Sequence, residues 1–265
     1  MAEPDLSGSV LGRIAASTRL RVGNAKAAVS EEALRERAAG AVPVRDAEAA
    51  FKGPGLRVIS EFKRSSPSEG PLAEGFDAGA VARAYQDAGA AALSVLTEPE
   101  FFNGSLADLE SARAASSLPV LMKDFLLDPY QLLQARAAGA DIALLIVALL
   151  GPKRTAAMLE EARALGLHAL VEVHTEDELE AAFDAGARIV GVNNRNLKTL
   201  EVDLSAGRTL AGKARGRAAV LVCESGLKRR ADLETMQTAG FDAFLIGSHL
   251  MKSGRPGEAL RELLA

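Results

Sequence analysis

Short apolar runs alternate with amphipathic stretches along this chain. The runs are LRVISEFKR from Leu56, ALSVLTE from Ala92, PVLMKDF from Pro119 and IALLIVALL from Ile142. They continue as HALVEVH from His168, IVGVNNR from Ile189, AVLVCES from Ala219 and AFLIGSH from Ala243. Near-continuous apolar strands are buried on both faces, as a parallel sheet requires, so these runs predict eight strands. The stretches between them, such as VARAYQDAG, PYQLLQARAAG, AAMLEEARALG and EDELEAAFDAG, carry helical periodicity. Gly89, Gly139, Gly166, Gly186 and Gly240 stand directly before the next strand. A chain that leaves a helix and reverses there needs a left-handed residue.

Strand onsets lie roughly 20–35 residues apart, the length of a βα unit. Eight such units predict an α/β fold, a closed (β/α)8 TIM barrel. An open doubly wound sheet is the alternative that periodicity leaves standing. About fifty residues precede the first strand, and SVLGRIAAS and SEEALRERAAG read as one or two extra helices covering a barrel end. With no Gly/Ser linker, residues 1–265 read as a single domain. Its parts are a helical extension (1–50), the barrel (56–250) and a terminal helix (251–265).

Composition narrows the function classes. The 31 basic and 35 acidic residues sum to −4, which argues against a nucleic-acid or membrane-surface partner. The longest apolar run, Ile142–Leu150, is nine residues where a membrane span needs ~20. MAEPDLSGSVLGRIAAS has no signal-peptide core. One cysteine, Cys223, and three histidines, His168, His174 and His249, give neither a disulfide framework nor a helical zinc pair. These features predict a reduced, cytoplasmic protein without a structural metal. Separately from them, a monomer or weak homo-oligomer is expected.

In a barrel of this kind chemistry sits at the C-terminal ends of the strands. Polar residues collect there: Glu61 and Lys63, Lys123 and Asp124, Glu172 among valines, Asn193-Asn194-Arg195, Glu224-Ser225-Gly226, and Gly247-Ser248. Inward-facing charges in such a cup must pair or shift their pKa. The Ser-Gly and Gly-Ser pairs after strands seven and eight suit a phosphate, because glycine lets backbone N–H groups approach an anion closely. A short helix after strand eight would aim its positive end at the same spot. Lys63 and Ser66, in KRSSPSEG, are placed to close round it. His174 reads as a hydrogen-bonded rim residue, Cys223 as a buried filler, and Lys228-Arg229-Arg230 as a solvated helix face.

The strings SEFKRSSPSEG, SVLTE…FFNGSLADL, LMKDFLLDPYQ, LVEVH, GVNNRNLKTLEVD, CESGL and FLIGSHLM resemble the indole-3-glycerol-phosphate synthase family from about Leu56 to Met251. MKDF after strand three together with NNRNL after strand six is the specific part. The resemblance implies a cofactor-free lyase of tryptophan biosynthesis acting on a phosphorylated small molecule, 1-(2-carboxyphenylamino)-1-deoxyribulose 5-phosphate. It further implies Lys123 as general acid, Glu172 as general base, and Lys63 near the substrate carboxylate and sugar, with a share in acid catalysis during dehydration. Glu61, Asn193 and Glu224 would orient these groups, and Arg195 would lie near the substrate carboxylate. Ser66, Ser225, Gly226, Gly247 and Ser248 would hold phosphate and sugar. Phe102, Phe125, Leu144 and Leu200 would line the aryl slot. Desolvation among valines is expected to raise Glu172 towards neutrality. Ser60 and Met122 depart from commonly seen alanine and arginine, at positions that donate no chemistry.

Three rival readings share parts of this pattern. A sugar-phosphate isomerase or epimerase would share the last two loops. A Schiff-base aldolase would need Lys123 or Lys63 as a neutral amine. A catalytically silent binding barrel would have no use for the full set of charged strand ends.

Overall fold

The computed structural model describes residues 9–67, 69–72, 75–196 and 201–265. Each apolar run contains one strand: β1 (Arg57–Phe62), β2 (Ala92–Leu96), β3 (Val120–Lys123), β4 (Ile142–Ile146), β5 (His168–Val173), β6 (Ile189–Asn193), β7 (Val220–Glu224) and β8 (Ala243–Ile246). All pair in parallel with their sequence neighbours, and β1 also pairs with β8. Ile59 therefore stands opposite both Ala92 and Leu245, which closes the barrel and removes the open-sheet alternative. Closure leaves the barrel no unpaired edge, and helices cover its outer face, so the strands read as apolar on both sides.

The fourth run is longer than its strand. β4 stops at Ile146, and Val147–Leu150 already belongs to the following helix, whose first turn is offset from the rest by Gly151 at φ 68°. Five residues at ~3.3 Å each are enough to cross a barrel wall. The remaining apolar residues serve helix packing, and a continuous apolar run carries no mark of that change. The helix-ending glycines do carry one. Gly139 adopts φ 85° and its amide closes on Arg136 O, turning the chain into β4.

Among the described residues the N-terminal extension holds three helices rather than one or two: α1 (Val10–Ala28), α2 (Glu31–Ala39) and α3 (Ala47–Phe51). It also touches both barrel ends. At the C-terminal end of the strands, Arg21 of α1 makes a double contact with buried Asp124 at 2.6 and 3.0 Å, and Lys26 pairs with Asp128 at 2.8 Å. Along the side, Val22, Leu34 and Ala38 pack with Tyr130 and Leu133 of the helix Pro129–Ala137. At the opposite end, Arg57 at the start of β1 donates to Ala50 O, and the Ala47 amide donates to His168 Nε2. Buried Asp141 ties that end together. It accepts from the amides of Arg45 (2.7 Å) and Val120 (2.8 Å) and pairs with Arg113 at 2.6 Å. Among the described residues, no helix is long and apolar enough to cross a membrane.

Candidate active site

A cavity of about 770 Å³ opens at the C-terminal ends of the strands. Period-two alternation places Glu61, Glu172, Asn193 and Glu224 on the inner face near the last residues of β1, β5, β6 and β7. Lys123 ends β3 and projects among them: its Nζ lies 3.2 Å from Glu172 Oε2 and 3.5 Å from Glu224 Oε2. Lys63, just beyond β1, pairs with Glu61 at 3.1 Å and donates to Ser248 Oγ at 2.9 Å. All six candidate catalytic residues therefore meet in one cup, with Arg195, Ser66, Ser225, Gly226, Gly247 and Ser248 on its walls. Phe102 and Phe125 line one side with ring centroids 5.9 Å apart, and Leu144 lies on the same cavity. Leu200 lies outside the described residues.

Two glycines make room for carboxylates. A Cβ on Gly247 would stand 2.3 Å from Glu61 Oε1, and one on Gly191 would stand 2.1 Å from Glu224 Oε1. Gly191 sits mid-strand in β6, where glycine otherwise costs stability. Gly191→Ala is expected to displace the Glu224 carboxylate. It should lose roughly tenfold in turnover, within the ~10² that a misplacement of 1 Å costs, and about 1–3 kcal/mol of stability through overpacking. Steady-state kinetics beside urea unfolding checks both; unchanged turnover would mean Glu224 need not lie where it does.

Asn193 is oriented by its surroundings. Its Oδ1 accepts from Ser225 Oγ (2.8 Å) and from the Arg195 amide (3.0 Å), which leaves Nδ2 to donate to Glu172 Oε1 at 3.0 Å. Ser225 makes that bond from a left-handed backbone at φ 65°, a conformation costly for a residue with a side chain. The Arg195–Val202 bridge closes the neighbouring loop, and a Cβ on Gly226 would meet Val202 Cγ1 at 2.5 Å.

Electrostatics divides the carboxylates. Burial works against the Lys123 charge, but Glu172, Glu224 and Glu61 outweigh it and hold the ammonium protonated far above neutral pH. This disfavours the neutral amine that an imine-forming aldolase needs. Burial likewise pushes Glu172 up, yet Lys123, His174 and Asn193 together bring it below the ordinary carboxylate range. The expected rise of Glu172 is thus corrected: desolvation is present, and a cation 3.2 Å away wins. The carboxyl driven up, to about 8, is Glu224, through burial and then the charge of Glu172. Both its oxygens are buried without a hydrogen-bond partner among the described residues.

Several cavity residues escape a strand-by-strand reading. Leu11 and Ile14 reach the cup from α1, Leu204 from the helix Leu204–Ala214, and Lys252 from the short helix Ser248–Lys252. Lys252 lies four residues after Ser248, one helical turn away, a spacing that could have marked it. Glu69 carries no strand-end signal either. Its carboxylate accepts from Ser248 Oγ and pairs with Lys252 at 2.8 Å, so this corner already holds an anionic group. Lys228, Arg229 and Arg230 are all exposed, as expected, with Arg229 and Arg230 paired to Asp232 and Glu234; Lys228 lies in the loop before the helix Arg230–Ala239 and also borders the cavity. Cys223 is buried, as a filler should be.

A closed (β/α)8 barrel whose mouth sets a protonated lysine among carboxylates, beside an apolar slot and an anion-holding corner, defines an acid–base enzyme for a small anionic substrate. The family model for indole-3-glycerol phosphate synthase matches residues 11–263, and the chain belongs to that family. It is 47% identical over 258 residues to indole-3-glycerol phosphate synthase 2 of Streptomyces coelicolor, covering 96% of this chain and 98% of the relative. The indole-3-glycerol phosphate synthase of Mycobacterium sp. strain KMS is 48% identical over 258 residues, with 97% of this chain and 94% of the relative covered. Among solved structures, the Clostridium perfringens N-acetylmannosamine-6-phosphate 2-epimerase shares the fold at TM-score 0.61 and 15% identity, with 81% of this chain and 94% of that one covered.

Proposed function

We propose that this chain converts 1-(2-carboxyphenylamino)-1-deoxyribulose 5-phosphate to indole-3-glycerol phosphate, carbon dioxide and water. The observation that carries the assignment of roles is the position of Lys123, 3.2 Å from Glu172 between the aromatic slot and the anion-holding corner. The aryl ring lies between Phe102, Phe125 and Leu144. The phosphate takes the corner formed by Ser248, Lys252, Ser225 and the glycines, displacing the Glu69 carboxylate. Arg195 and Lys63 face the substrate carboxylate and sugar.

The ring carbon bearing the carboxylate attacks the ribulose carbonyl carbon, and Lys123 gives its proton to the carbonyl oxygen. Carbon dioxide leaves with the ring–carboxylate bond, and its electron pair restores aromaticity. The new hydroxyl departs as water on a second proton from Lys63. Glu172 takes a proton from the adjacent carbon, and that electron pair closes the indole double bond. Two protons are donated and one is recovered; the other comes from solvent, because a carboxylate has left as a neutral molecule.

No cofactor enters this scheme. The described lining of the cavity comes from one chain, so the reaction needs no second copy and the reading remains a monomer or weak homo-oligomer; the cytoplasm is the compartment proposed for a biosynthetic enzyme of this family. One continuous core from Leu11 to Leu263 supports reading residues 1–265 as a single domain. The test is an indole fluorescence assay with this substrate and no added metal or cofactor. The chain has no tryptophan to mask the product. Signal growing with time is expected; a folded sample that stays dark would refute the assignment.

A further inference from the structure

His174 lies two residues beyond Glu172 and so on the same inner face, at the end of β5. Its side chain is 11% exposed. Nε2 is buried, makes no hydrogen bond among the described residues, and sits 3.3 Å from Glu172 Oε1. On the other side of the ring, Nδ1 lies 3.3 Å from Glu178 Oε2. The same Glu178 oxygen accepts from the His174 backbone amide at 2.7 Å. Glu178 stands in the first turn of the helix Glu176–Asp184, where Thr175 Oγ1 caps its amide. The imidazole is thus fixed between two carboxylates, one catalytic and one facing outward. The backbone bond already serves the helix start, and any residue type supplies it. The ring does something further.

We infer that His174, held in place by Glu178, is a positioning residue that keeps Glu172 in its ionised, proton-accepting form. This rests on the reading of Glu172 as the base. The charged groups that face the imidazole are Glu172 from its own strand, Glu178 from the following helix and Glu224 from β7. Those that face Glu172 are Lys123 of β3 and His174, with the Asn193 amide of β6 beside them and the Glu224 carboxyl sharing the cup. Burial alone would discharge the ring, but Glu178, Glu172 and Glu224 overcome it and favour the imidazolium. An imidazolium at this distance opposes protonation of Glu172. It does so without meeting the substrate end of the cup, where Lys123 gives up its own charge during turnover.

The test compares the dependence of kcat on pH in the wild type, His174→Asn, Glu178→Gln and the double variant. In Glu178→Gln the new side-chain carbonyl still accepts the backbone bond, so that variant keeps the helix start. Removing the positive charge raises the pKa of Glu172, so the acidic limb of kcat should move upward by about one unit in each single variant. The double variant should move no further than His174→Asn, because Glu178 acts through the ring. NMR of the imidazole signals reports directly, since only three histidines are present. The His174 signal should titrate above the usual histidine range and fall in Glu178→Gln. An active wild type whose limb stays put in folded His174→Asn, or a ring that is neutral at pH 7, overturns the inference. A wild type that makes no indole refutes the assigned reaction instead.

Discussion

Lys123→Ala lowers kcat by at least ~10²-fold, the lower end for loss of a positioned acid, while the barrel stays folded. The side chain ends in the cup rather than in the core, and its removal leaves no polar backbone group unpaired. Its loss does leave Glu172, Glu224 and Glu61 without the cation they share. Mutual repulsion then drives the pKa values of Glu172 and Glu224 upward, and the site sheds charge by taking up protons instead of unfolding. The variant therefore loses its acid and also weakens its base at neutral pH. Turnover at saturating substrate, with circular dichroism as the control for folding, checks this. Near wild-type kcat would remove Lys123 from the acid role.

Glu172→Gln is expected to cost between ~10² and ~10⁴ in indole formation, the range for a lost general base. Carbon dioxide release should persist in a single turnover. The amide oxygen can still accept from Lys123, while its NH2 then faces the Nδ2 of Asn193, which Ser225 and the Arg195 amide hold in place, so one hydrogen bond is lost with the basicity and the fold is kept. Comparing carbon dioxide release with indole fluorescence separates the two halves of the reaction. Loss of both together would mean that Glu172 acts before decarboxylation. The depressed resting pKa of Glu172 fits a late role. While Lys123 is charged the carboxylate is a weak base; once Lys123 has passed its proton to substrate, the largest part of the field holding Glu172 down is gone, His174 and Asn193 remain, and its basicity rises.

Lys123 and Glu172 stood out in the chain as MKDF and LVEVH, because each charge interrupts an apolar strand at the end where barrels carry chemistry, while the roles proposed for them came from the family resemblance. Their electrostatics was not visible. Valines flanking Glu172 advertise desolvation, but Lys123 is 49 positions away and its distance is set by strand register. The same register places Gly191 against Glu224, so a glycine that looks like a weak point in β6 turns out to house a carboxyl. The place of Glu69 at the mouth was silent, since it reaches it from outside the strand pattern, and of α1 the sequence told only that it covers a barrel end, not that Leu11 and Ile14 line the cup.

What this chain determines by itself is the alternation of eight buried strands with helices, the glycines that turn helices back into strands, and the polar residues at strand ends. Those properties are local: burial periodicity and backbone freedom are written residue by residue. The protonation order of Glu172 and Glu224 and the clamp of His174 between two carboxylates belong to the tertiary structure alone. Each depends on distances of about 3 Å between residues brought together by folding, and Coulomb energy at that range outweighs what any local environment predicts.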